Sequence, residues 1–173
     1  MFQTPYNAAP FSRFTPSDYL PAIEKAIAES LAQIDSITQN SEPASFKNTI
    51  EALGYTGLEL DRLTAMFFNL NSAETNDTLQ AEAQRISPLL TDYGNDIRLN
   101  EALFKRVKTV YDQRETLSLT AEQQTLLEKT YKSFTRNGAN LSLNDKESLR
   151  KIDKELATLK LKFSENVLAE TQH

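Results

Sequence analysis

Proline is confined almost entirely to one end of this sequence. Four of the six prolines fall within the first 21 residues, and after Ala44 only Pro88 remains. A proline inside a helix removes a backbone hydrogen bond and clashes with the turn before it, so the long proline-poor stretch is the part of the chain free to be helical. Its apolar residues agree, recurring at spacings of three and four, the period that lines one helix face, with none of the strict alternation of a half-buried strand. The sequence therefore predicts an all-α fold: an extended arm over residues 1–14, then one helical domain over 15–173 built as an antiparallel bundle of about six helices. A chain of 173 residues can bury one sizeable core and is too short to expect two domains.

Capping signals divide the domain. Thr15 with Pro16 behind it opens a first turn, expected to break and restart at Pro21, and Leu20, Ile23, Ile27, Leu31, Ile34 and Ile37 then share one stripe. Asn48 and Glu51 read as a capping box for a second helix carrying Ile50, Leu53, Leu60, Leu63, Phe67 and Leu70. Gly54 and Gly57 lie inside it, each costing about 1 kcal/mol relative to alanine, which implies a close neighbour or a local irregularity. Asn76 caps a third helix through Leu79, Ile86, Leu89, Leu90 and Ile97, with a kink expected at Pro88, and Asn100 caps a fourth through Leu103, Phe104, Val107, Val110 and Tyr111. Thr120 and Gln123 box a fifth, with Leu126, Leu127, Tyr131 and Phe134, that stops at Gly138.

Ser142, with Asp145 three residues on, opens the sixth and most unusual helix. Roughly 30 residues at 1.5 Å each make it about 45 Å long, more than a small bundle requires. Leu149, Ile152, Leu156, Leu159, Phe163 and Val167 form its main stripe, expected to face the core. Leu161, Leu168 and Ala169 lie off that stripe. They read first as a widening of the core-facing surface and alternatively as a side that packs against something absent; because no stop signal precedes the final residue, the sequence ends in mid-helix, and on the second reading Leu161 and Leu168 would meet chain beyond His173.

Chemistry is sparse. A net charge of −5 argues against nucleic acid, which needs clustered Lys and Arg, and "FKRVK" at 104–108 reads as a solvated helix face. There is no cysteine for disulfide or thiolate chemistry. No apolar run is long enough to span a bilayer and no signal peptide is evident, so the expected compartment is the cytoplasm, or the periplasm if a leader has been removed. The one histidine, His173, cannot supply both ligands of a His-Glu-x-x-His zinc site. Glu170 and His173 have the Glu-x-x-His spacing of di-iron bundles, but such a site needs two pairs and further glutamates. Glu147, Asp153 and Glu155 read as solvated helix carboxylates, Glu155 within reach of Lys151. The four glycines make no phosphate loop. No catalytic, cofactor-binding or metal-binding residue is nominated.

Three stretches carry a family likeness: "FKNTIEALGYTGLELDRLTAMFFNLNSAETNDTLQ" (46–80), "ISPLLTDYGNDIRLNEALFKRVKTVYDQR" (86–114) and "LLEKTYKSFTRNGANLSLNDKESLRKIDKELATLKLKFSENVLAET" (126–171). Together with "FTPSDYLPAIEKAI" near the start, they resemble the amino-terminal region of bacterial peptidyl-dipeptidases and oligopeptidases of the thimet oligopeptidase family of zinc metallopeptidases. The resemblance implies a helical wall around a channel that admits short peptides, with the remainder of the parent chain and an oligopeptide substrate as partners. It also implies zinc, held by a His-Glu-x-x-His motif and a downstream glutamate that this sequence does not contain. The chain alone is accordingly expected to be inactive. A free-standing helical interaction module without catalysis is the alternative the residues leave open.

Overall fold

The computed structural model describes residues 9–171, and among these there is no strand. Residues 1–8 of the expected arm, and His173 of the Glu-x-x-His pair, lie outside the described residues. Phe11–Arg13 forms a single 3-10 turn. Six helices follow: α1 (Pro16–Thr38), α2 (Leu58–Ala73), α3 (Asp77–Arg98), α4 (Glu101–Asp112), α5 (Ala121–Arg136) and α6 (Leu143–Thr171).

Most helices start where local chemistry satisfies their free N–H groups. The side chains of Asn76, Asn100 and Thr120 accept from the backbone N–H of Leu79, Leu103 and Gln123, and Ser142 Oγ accepts from that of Asp145. At α1 the Asp18 carboxylate accepts from the Thr15 N–H at 2.8 Å and from its hydroxyl at 2.7 Å. α5 stops as expected: Gly138 takes φ +94° and the Ala139 N–H returns to the Phe134 carbonyl at 3.1 Å.

Two local expectations are corrected. α1 does not break at Pro21 but runs through it. The missing hydrogen bond falls near the helix start, where the Thr15–Asp18 cap and the burial of Tyr19, Leu20 and Ile23 on either side of the proline outweigh it. α3 is likewise a single helix that contains Pro88, as the sequence expects. Finally, the cap at the second helical segment is Ser45, one turn before Asn48: Ser45 Oγ accepts from the Asn48 N–H, and Asn48 Oδ1 accepts from the Ser45 N–H at 2.8 Å. This cap opens a wide turn over Phe46–Glu51, in which the Ala52 N–H reaches back to the Lys47 carbonyl; a short α-helical turn, Ala52–Gly54, follows. The chain then reverses at Gly57, with φ +73°, before α2 begins, so the irregularity anticipated at the glycine pair is real.

The helices enclose two adjoining cores threaded by α1. Its first half contributes Tyr19, Leu20 and Ile23, which meet Leu60, Met66 and Phe67 of α2 and Leu79, Ala83 and Ile86 of α3. Its second half contributes Ile34 and Ile37, which meet Ile50, Leu103, Val107 and Val110, and Leu127 and Phe134 of α5. Phe104 stacks on Tyr131 and Phe134, while Tyr111 stacks on Tyr131 at 3.9 Å between centroids, so α4 and α5 run antiparallel. α6 is also antiparallel to its neighbour, and that neighbour is chiefly α3. Arg150 pairs with Asp96 at 2.7 Å, Lys154 with Asp92 at 2.6 Å, and the Gln84 amide donates to Glu165 at 3.1 Å.

The largest correction concerns which side of α6 meets the bundle. Leu161 packs on the first core, and Leu168 is half-buried beside it. Of the main stripe, Leu149 is half-buried over Gly138, but Ile152 is 60% exposed, Leu156 45%, Leu159 53% and Phe163 71%. At 3.6 residues per turn the two sets lie on nearly opposite sides of the helix. Leu161 and Leu168 thus take the core-facing alternative while Ala169 is exposed, and Ile152, Leu156, Leu159 and Phe163, expected to fill the core, face away from it.

Candidate functional site

The reversal follows from how α6 is fastened. Its bundle-facing side reads Arg150, Ala157, Leu161, Glu165 and Leu168, a row that mixes charged groups with small or apolar ones. Arg150 and Lys154 bind carboxylates of α3, and Lys146, nearly buried, places Nζ 3.0 Å from Oε1 of Glu101 on α4. Those straps fix the helix with its most apolar face turned outward. Partly exposed ion pairs contribute only about 0–1 kcal/mol each, so the contact is specific in register without being deep.

Open clefts on α6 show the same shallow seating. A groove of about 460 Å³ runs between α3 and α6, lined by Ser87, Thr91, Arg98, Asp153, Leu156 and Leu161 among others. A second, of about 230 Å³, lies between Asn71, Thr75, Gln80, Leu161, Glu165 and Leu168. Leu156 therefore belongs both to the exposed stripe and to the rim of the larger groove, making one continuous surface of them. A further apolar cleft of about 350 Å³ is formed by Phe46, Tyr55 and Leu126, away from α6 in sequence.

The carboxylates noted in the sequence do not converge on a site. Glu147 and Glu155 are exposed on α6 and Asp153 lines the groove. Among the described residues no three His, Cys, Asp or Glu side chains come together so as to hold a metal ion. The donor set a catalytic zinc requires is thus not offered by these residues. No helix among them is long and apolar enough to cross a membrane.

"FKRVK" divides its labour. Phe104 and Val107 enter the core, Lys105 and Lys108 are exposed, and Arg106 turns onto the connector after α1. It donates to the carbonyls of Asn40 at 2.9 Å and Glu42 at 3.3 Å and to Asn48 Oδ1 at 3.0 Å. This arginine clamp was not anticipated. The only local hint was a charged residue flanked by apolar positions of α4, and its acceptors lie about sixty residues away.

No family model matches the chain. Individual relatives match over nearly its whole length. It is 38% identical over 165 residues to dipeptidyl carboxypeptidase of Escherichia coli, covering 95% of this chain and 24% of the relative, and 36% identical over the same extent to that of Salmonella typhimurium. It is 24% identical over 168 residues to oligopeptidase A of Salmonella typhimurium, covering 97% of this chain and 25% of the relative. This chain is a homologue of the thimet oligopeptidase family. It spans about a quarter of the length of the curated relatives it matches.

Proposed function

We propose that the chain is part of the helical channel wall, at the amino-terminal end, of a zinc peptidase that cleaves short peptides, and that it has no catalytic activity by itself. The match to dipeptidyl carboxypeptidase at 38% identity over 95% of the chain carries this reading. The lower identity to oligopeptidase A, 24%, favours release of dipeptides from the carboxyl end over internal cleavage. On this reading zinc and its ligands belong to portions of the peptidase that this chain does not span, since the described residues offer no donor cluster. What the bundle supplies is a rigid wall: two well-filled cores and capped helices hold a fixed surface against which a closing half of the enzyme can move.

Residence in the cytoplasm of a bacterium belongs to the same proposal. The test compares two preparations on a quenched oligopeptide: the 173-residue chain and the long peptidase that contains it. The long protein should release carboxyl-terminal dipeptides and lose that activity to a chelator, while the chain alone should be inert before and after zinc addition. Chelator-sensitive hydrolysis by the purified chain alone would overturn the assignment.

A further inference from the structure

The outward stripe of α6 is an apolar face that no other element among the described residues covers. Ile152, Leu156, Leu159 and Phe163 are each 45% exposed or more and follow one another at spacings of four, three and four, so they form one strip about 17 Å long. Single exposed leucines need no explanation, but a contiguous apolar strip with a polar rim is the usual mark of an interface. Here the rim is Lys151, Asp153, Glu155, Lys160 and Lys162, of which Asp153 is half-buried and the others exposed.

Two observations select the occupant. The rim is net basic although the chain carries −5 overall, so a second copy docked on the same strip would bring lysines against lysines. And the relatives that match this chain extend to about four times the matched length, which leaves about three quarters of a related peptidase to lie somewhere against it. We infer that the outer face of α6, Ile152, Leu156, Leu159 and Phe163, is the surface on which the remaining part of the peptidase packs, through an apolar segment with an acidic border. The α3–α6 groove beside Leu156 receives a side chain of that segment, with Arg98, Asp153 and Lys160 at its edge. The inference rests on the reading under Proposed function and adds to it the face by which this part is joined.

The absence of cysteine from the sequence gives a clean probe. Leu159→Cys and, as a control on the exposed side of α1, Ala28→Cys are each made in the 173-residue chain and in the long peptidase, and maleimide labelling at each introduced site is followed by peptide mass spectrometry. Leu159→Cys should label quickly in the 173-residue chain and at least about tenfold more slowly in the long protein, because reaction there requires the contact to open. Ala28→Cys should label equally fast in both. Equal rates for Leu159→Cys in the two proteins would overturn the inference, as would slowing in the 173-residue chain as its concentration rises, which would mean a second copy covers the strip. Loss of peptidase activity from the unmodified long protein would instead sink the functional reading. Should Leu159→Cys prevent the long protein from folding, Ile152→Cys supplies the same comparison two turns away.

Discussion

Replacing Gly57 by alanine should destabilise the bundle by about 3 kcal/mol, whereas the same replacement at Gly54 should stabilise it. Gly57 sits at φ +73°, a conformation that costs an L-residue about 1–2 kcal/mol. A Cβ there would also lie 2.8 Å from Tyr93 Oη and 3.1 Å from Ser30 Oγ. Those two hydroxyls are hydrogen-bonded to each other at 2.6 Å, and Ser30 is buried, so parting them forfeits about 1 kcal/mol and leaves a polar group short of a partner. At Gly54 nothing lies within 4 Å of the added methyl, and the residue ends a helical turn, where alanine gains about 0.5–1 kcal/mol over glycine. For a chain of this size each kcal/mol moves the thermal midpoint by about 2–4 °C. Scanning calorimetry of the two variants should therefore show Gly57→Ala lower by roughly 9 °C and Gly54→Ala slightly higher. A Gly57→Ala midpoint at or above that of the parent would refute the account of how α1, α2 and α3 meet.

The two faces of α6 should separate on truncation: Leu161→Ala should cost about 1–2 kcal/mol in urea unfolding and Ile152→Ala less than about 0.5. Arg106→Ala should cost about 3 kcal/mol, since it strips the connector's carbonyls and Asn48 of their shared donor, and hydrogen exchange should show residues 39–48 opening first. Glu101→Ala, which leaves the Lys146 ammonium buried without its carboxylate, should cost about 1–2 kcal/mol, with Lys146→Met recovering most of it. Hydrogen bonds from the Thr15 N–H and hydroxyl hold the Asp18 carboxyl below its ordinary value of 3.8. A carboxylate whose folded pKa is depressed contributes stability that is present above its ordinary pKa and lost as pH falls through the lowered one. The gap in thermal midpoint between the parent and Asp18→Asn should thus be open at pH 7 and narrow below about pH 4.

What could be read from the sequence was what is decided within a turn or two of chain. Thr15, Asn76, Asn100, Thr120, Ser142 and Gly138 mark helix ends because capping needs only a side chain and an N–H or carbonyl three or four residues away. The same reasoning slipped at Asn48, where Ser45 one turn earlier completes the same motif and Asn48 serves both as its partner and as an acceptor for Arg106. At Pro21 local sterics gave the wrong answer because tertiary burial on both sides outweighs one lost hydrogen bond. α6 marks the limit of the method. Amphipathic spacing identifies an apolar face but carries no record of what covers it, and here the bundle holds α6 by its charged side. The helical class and the family likeness were legible, since both depend on pattern along the chain; the candidate surface was not, since it depends on which side of one helix finds a neighbour.

The central claim, that this chain is an inert wall segment of a longer peptidase, is tested most directly by the size of the native product. An antibody raised against the 173-residue chain, used on a lysate of the source organism, should reveal a single band several times larger than 19.6 kDa. A band at 19.6 kDa would contradict the claim, and the outer face of α6 would then have to serve a partner encoded elsewhere.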